Sequence, residues 1–234
     1  MMPFRLSVAQ PLAVFTAAAV PTTLWIADGV LMRRKLQAER LKLQAARRDP
    51  VTGLHGRDGY THRATDLVRR YGDHSLVVFL DMAGFKKVND TFGHDAGNEV
   101  LAATGQRLEQ WAGKHGVAAR LYGDEFAAAA RIPAQRRPIR LAQLHHLVHQ
   151  PVRVGDRHVD VAVSIGAASP SDLNTKELAR LLRAADGAMY EHKQERHGDF
   201  RIATTAHMNG PMVNGRSLGR SGTGTSTAPS AVAA

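Results

Sequence analysis

The chain has 234 residues and no cysteine, which excludes disulfides, zinc–thiolate centres and thiol catalysis. Its formal net charge is +10, yet residues 49–200 carry twenty Lys/Arg against nineteen Asp/Glu, so the excess lies in the two ends. A nucleic-acid-binding domain concentrates basic charge on its own surface, and no nucleic-acid partner is expected here.

In chain order, the 22 residues between Arg5 and Asp28 carry no charge, and they include Leu12, Val14, Phe15, Val20, Leu24, Trp25 and Ile26. That length spans a bilayer as a helix. Residues 1–32 are therefore read as a single-pass membrane anchor with one transmembrane helix; the small residues Ala17 to Ala19 leave a secretory signal peptide as the competing reading. Arg33, Arg34 and Lys35 follow, and the positive-inside rule puts the next domain in the cytoplasm, at the cell membrane. Residues 33–48 are rich in Leu, Ala, Gln, Glu, Lys and Arg, which predicts a basic linker helix.

Residues 49–202 form the domain proper. Hydrophobic spacing predicts a helix over 58–71, a strand ending at Asp81, a helix over 96–111 and a hairpin centred on 122–125. A helix over 136–149, strands near Val152 and Val161, a long helix over 175–195 and a short strand over 200–203 complete it. Alternation of this kind, with a hairpin in the middle, is an α+β arrangement with helices packed on a sheet. His145 and His149 share a face of the helix over 136–149, but no third ligand lies near in sequence, and the bland reading is a partly exposed helix. Residues 203–234, where Gly, Ser, Thr and Ala come to dominate, are expected to be a disordered tail.

Two stretches carry chemistry. The apolar run Leu76 to Leu80 ends in Asp81, and after Gly84 the residues Phe85, Lys86, Lys87, Val88 and Asn89 begin a helix whose first amides, with Lys86, face an anion. The second is RLYGDEF, 120–126, in which Gly123 turns the chain and Asp124 and Glu125 follow it. Taken singly, a strand-end acid and a hairpin-tip acid are ordinary. Together on adjacent strands, Asp81 and Asp124 make a hard-oxygen site for Mg2+ with substrate phosphates completing the shell. The implied chemistry is metal-assisted phosphoryl or nucleotidyl transfer.

Five segments in order resemble the GGDEF family of diguanylate cyclases: DPVTGLHGR (49–57), LDMAGFKKVNDTFGHDAGNEVL (80–101), RLYGDEF (120–126), VAVSIGAA (161–168) and ADGAMYEHK (185–193). The resemblance implies a mainly antiparallel five-stranded sheet like the palm of nucleotide cyclases and polymerases. It further implies that a homodimer condenses two GTP into cyclic di-GMP with release of pyrophosphate, in second-messenger signalling. Asp81 and Asp124 would be ligands to Mg2+ or Mn2+, and Asp124 and Glu125 the catalytic acids. Lys86, Asn89, Asn98, Gly123 and Lys193 would bind the nucleotide, the lysines at the phosphates and Asn89 at the guanine edge.

The chain departs from the family pattern at named places. Tyr122 replaces the first glycine of the signature, giving YGDEF, and adds a ring where backbone approaches the nucleotide. Asn98 replaces an aspartate that accepts hydrogen bonds from guanine, and an amide offers one acceptor oxygen. Ala83 stands at a usual second acid, and His197 at a usual arginine. The R-x-x-D feedback motif would fall on Gly113, Lys114, His115 and Gly116 and is missing. These changes keep an alternative open: a catalytically degenerate GGDEF domain that binds GTP or a protein without turnover.

Overall fold

A computed structural model of the chain describes residues 30–37, 39, 48–195 and 199–209. It divides into two units, residues 1–47 and 48–234. In the first, residues 30–37 are helical. Among the described residues no helix is long and apolar enough to cross a membrane. The uncharged run of residues 6–27, and with it the anchor or signal-peptide reading, lies outside the described residues.

The second unit is built on β1, Ser75–Ala83, which is buried along nearly its whole length. Its alternate residues serve two cores, as the period of a strand requires. Leu76, Val78, Leu80 and Met82 join one cluster with α3 (His94–Ala112) and α4 (Arg137–Val148) through Leu108, Trp111, Leu141 and Leu144. Val77 and Phe79 join the other with α1 (Arg57–Tyr71) and α6 (Leu178–Glu195) through Tyr60, Val68, Leu181 and Met189. A sheet covered by helices on both faces follows, and its central strand reads as an unbroken apolar run.

The sheet order is β2-β3-β1-β6-β7, with β2 Val117–Tyr122, β3 Glu125–Arg131, β6 Ala162–Ala168 and β7 Arg201–Ile202. Every pairing is antiparallel except β6 with β7, which is parallel, so the expected mainly antiparallel five-stranded sheet is a mixed one. The strand expected near Val152 is outside it: β4 (Val152–Val154) turns back on β5 (Arg157–Val159) as a separate hairpin. A short helix α2, Phe85–Phe92, stands between β1 and α3, and α5, Pro170–Leu173, follows β6. The fold continues past residue 202, where the sequence reading begins the tail: Ala203 is buried and α7 spans Thr205–Asn209. Residues 210–234 lie outside the described residues.

The seat of α6 is set by one glycine. A Cβ on Gly166 of β6 would stand 2.0 Å from the Ala185 carbonyl oxygen and 2.3 Å from the Met189 nitrogen, so only glycine lets this helix press onto the sheet.

Candidate active site

Asp81 sits near the end of β1 with Glu125 of β3 opposite it on one side and Ser164 of β6 on the other. By strand parity it faces α1 and α6, and it is only 8% exposed. Lys193, near the end of α6, donates from Nζ to Asp81 Oδ1 at 2.6 Å. A nearly buried carboxylate needs such a counter-charge.

Asp124 lies in the β2–β3 turn, next to Asp81. The Met82 amide donates to the Asp124 carbonyl at 3.3 Å, which ties the turn to β1. Burial, and then the negative charge of Asp81, push the Asp124 carboxyl above its ordinary value. The two acids are held side by side, and a cation between them would relieve the charge on Asp124. Gly123 takes φ +45°, the left-handed region that the tight turn demands. Glu125 follows as the first residue of β3, half-buried.

The turn is braced from outside. Arg120 donates from Nε to the Gly123 carbonyl at 2.7 Å and from Nη1 to Asp49 Oδ1 and Oδ2 at 3.2 and 3.3 Å. Asp49 also accepts from the Thr52 amide and hydroxyl, both at 2.8 Å. Burial alone would raise the Asp49 carboxyl, but these bonds from Thr52 and Arg120 outweigh it and hold the group below its ordinary value. Tyr122 is packed against the α1 side: its ring lies 4.7 Å under the Arg57 guanidinium, and Arg57 Nη1 donates to its hydroxyl.

At the other end of the site, Lys86 is exposed in the first turn of α2. Asn89, half-buried on the same helix, lies against the start of α3: a Cβ on Gly97 would stand 1.9 Å from Asn89 Oδ1. Asn98, the next residue, is exposed. The structure thus brings Asn89 and Asn98 to one corner.

The family described as "Diguanylate cyclase, GGDEF domain" matches residues 46–199. The chain belongs to the GGDEF family. Among its relatives, a protein of Streptomyces ambofaciens named as an uncharacterized 19.3 kDa protein is 38% identical over 177 residues, covering 76% of this chain and 91% of that one. Diguanylate cyclase TpbB of Pseudomonas aeruginosa is 32% identical, covering 76% of this chain and 42% of that one. The solved GGDEF domain of the same TpbB superposes with a TM-score of 0.61 at 30% identity, covering 69% of this chain and 96% of that domain. Against TpbB as a whole, this GGDEF chain therefore spans less than half the length.

Sequence reasoning missed three features of this GGDEF site. The first is that Lys193 meets Asp81. The second is the pair of histidines along the free part of the β6 edge, where His149 Nε2 accepts from the Val163 amide at 3.1 Å and His192 Nδ1 accepts from the Ile165 amide at 3.0 Å. Both line or border a cleft of about 490 Å³ that runs from Gly84 to Lys193. Among the described residues no group of three or more acids, histidines or cysteines is arranged to hold a metal ion. The third is Asp186 on α6, 8% exposed. Its signal in the sequence was an acid two turns before Lys193 in a helix whose inner face is otherwise Ala, Leu and Met with His192. Gly113 to Gly116, where the feedback motif is missing, leads into β2; Lys114 and His115 line a separate cleft of about 770 Å³ together with Arg63 and Arg70 of α1.

Proposed function

We propose that the chain is a diguanylate cyclase that joins two GTP into cyclic di-GMP as a homodimer. The observation that carries this reading is the convergence of Asp81, Asp124, Glu125 and Lys193 at one end of the sheet, with Asn89 and Asn98 at a neighbouring corner. In the reaction, the 3'-hydroxyl oxygen of each GTP bonds to the α-phosphorus of the other, and each α–β bridging bond breaks to release pyrophosphate. Two P–O bonds form, two break and two protons leave the hydroxyls.

The donors fit Mg2+ or Mn2+: two carboxylates, one nearly buried and the other raised by burial and by its neighbour, are hard oxygen ligands, and phosphates and water would complete the shell. Asp81 and Asp124 would hold the ion, whose charge would offset that developing on the transferring phosphate. Glu125, opposite Asp81, is placed to take the proton of the attacking hydroxyl. Lys193 exchanges Asp81 for a phosphate, and Lys86 holds another from the first turn of α2. Asn89 and Asn98 read the guanine edge. Each subunit presents one GTP, so the reaction needs two copies face to face.

Packing of the Tyr122 ring with Arg57 supports a turn that tolerates the ring. The second reading, a GTP-binding domain without turnover, is favoured by Asn98, whose amide cannot accept both guanine donors as a carboxylate does. Incubation of the purified chain with Mg2+ and GTP, and separately ATP, with mass detection of cyclic dinucleotide and pyrophosphate, decides between them. Product from GTP that vanishes in Asp124→Ala supports the cyclase. GTP binding with no product at high protein concentration, restored by Tyr122→Gly, supports the degenerate domain. The single-pass anchor, with the domain cytoplasmic, is proposed on the sequence alone, and membrane fractionation of the whole chain against residues 33–234 tests it.

A further inference from the structure

Helix α6 carries a buried acid that the reaction above leaves unused. Asp186 is 8% exposed, and its Oδ1 has no hydrogen-bond partner. Buried carboxylates are ordinarily paired or hydrogen-bonded, and an unsatisfied one calls for an explanation. It lies seven residues before Lys193, close to two helical turns, so both project from one face of α6. That face is the one whose lysine reaches Asp81 at 2.6 Å. The Ala185 carbonyl and the Met189 amide, on either side of Asp186 in sequence, pack against Gly166 and seat this part of α6 closely on the sheet.

Charge coupling points the same way. Burial, and then the charge of Asp81, raise the Asp186 carboxyl to about 6. At neutral pH the group is still mostly ionised. Asp186 then adds a third negative charge to those of Asp81 and Asp124, against the positive charges of Lys193 and Arg120, and a divalent cation would offset it.

We infer that Asp186 is a positioning acid of the cation site, which sets the affinity of Asp81 and Asp124 for a divalent ion through its charge without ligating the ion. The inference rests on the reading of Asp81 and Asp124 as that site. Partners that act through a ligand are worth a sizeable part of metal affinity. Asp186 also opposes the arrival of nucleotide without metal, since it adds negative charge where a triphosphate must come.

The test uses the full chain. Mn2+ is titrated by electron paramagnetic resonance without nucleotide, and GTP binding is measured separately in EDTA. Asp186→Asn is expected to weaken Mn2+ about tenfold and to strengthen metal-free GTP binding. A merely structural lesion lowers both, so the opposite signs identify a charge effect. Unchanged Mn2+ affinity, or loss of both affinities together, overturns the inference. Asp186→Ala, with the same two signs expected, serves if the Asn variant fails to fold. Asp81→Asn and Asp124→Asn separate the two levels of the argument. If they abolish Mn2+ binding while Asp186→Asn does not affect it, only the inference falls. If they leave Mn2+ binding intact, the cation site itself is misplaced.

Discussion

Lys193 Nζ lies 2.6 Å from Asp81 Oδ1, across 112 residues of chain. The lysine therefore holds the carboxylate that the proposed cation site would use. Lys193→Met should strengthen nucleotide-free Mn2+ binding, because the competing ammonium is gone. The same variant should lower cyclic di-GMP formation on the order of 100-fold, since a phosphate loses its positive partner. Mn2+ titration and product assay on one preparation check both signs.

Gly97 tests the proposed guanine corner. Its missing Cβ would meet Asn89 Oδ1 at 1.9 Å, and that atom is the far end of a side chain that can swing away. Gly97→Ala should therefore leave the melting temperature nearly unchanged while displacing Asn89. GTP affinity should fall about tenfold for the loss of a hydrogen bond to the base, measured by calorimetry, with ATP affinity little affected.

Arg57 tests the seat of Tyr122. The guanidinium stacks on the ring and donates to its hydroxyl. Arg57→Ala should cost about 1 kcal/mol of folding stability, read from urea unfolding. Tyr122→Phe keeps the stack, loses the hydroxyl and should cost less.

Asp186 predicts a pH dependence in the metal-free protein. Its folded value of about 6 lies above the ordinary 3.8. Below both values the carboxyl is protonated in folded and unfolded chains alike, and it contributes nothing. As pH rises from 3.8 to about 6, the unfolded chain releases the proton while the folded chain keeps it, so the folded state is progressively disfavoured. Above that window the penalty is full, on the order of 2–3 kcal/mol. Asp186→Asn should thus exceed the wild type in stability at neutral pH and lose that advantage near pH 4, as urea midpoints in EDTA would record.

Much of the fold was legible because its signals are short-range. The run from Leu76 to Leu80 has the length and composition of a buried strand, and β1 is found there. RLYGDEF carries its turn in Gly123, and the hairpin closes on it. Val152 was placed as a strand without its partner, because the sheet that a short strand joins depends on register with distant residues. The end of the domain was set too early, since Thr204 to Asn209 have no strong period and owe their helix to packing on α6.

The sequence by itself determined which acids and bases this protein carries and the local elements that display them: Asp81 at a strand end, Asp124 and Glu125 at a turn, Lys86 and Asn89 on a helix start. Spacing within a few residues settles such things, because strand alternation, helix period and turn chemistry are local. Only the tertiary structure decided that Lys193 answers Asp81, that Asp186 is buried behind it, and that His149 and His192 satisfy the open edge of β6. Those depend on how α6 and α4 sit on the sheet. For α6, that position is set by the close approach at Gly166, a contact no stretch of sequence displays until the chain is folded.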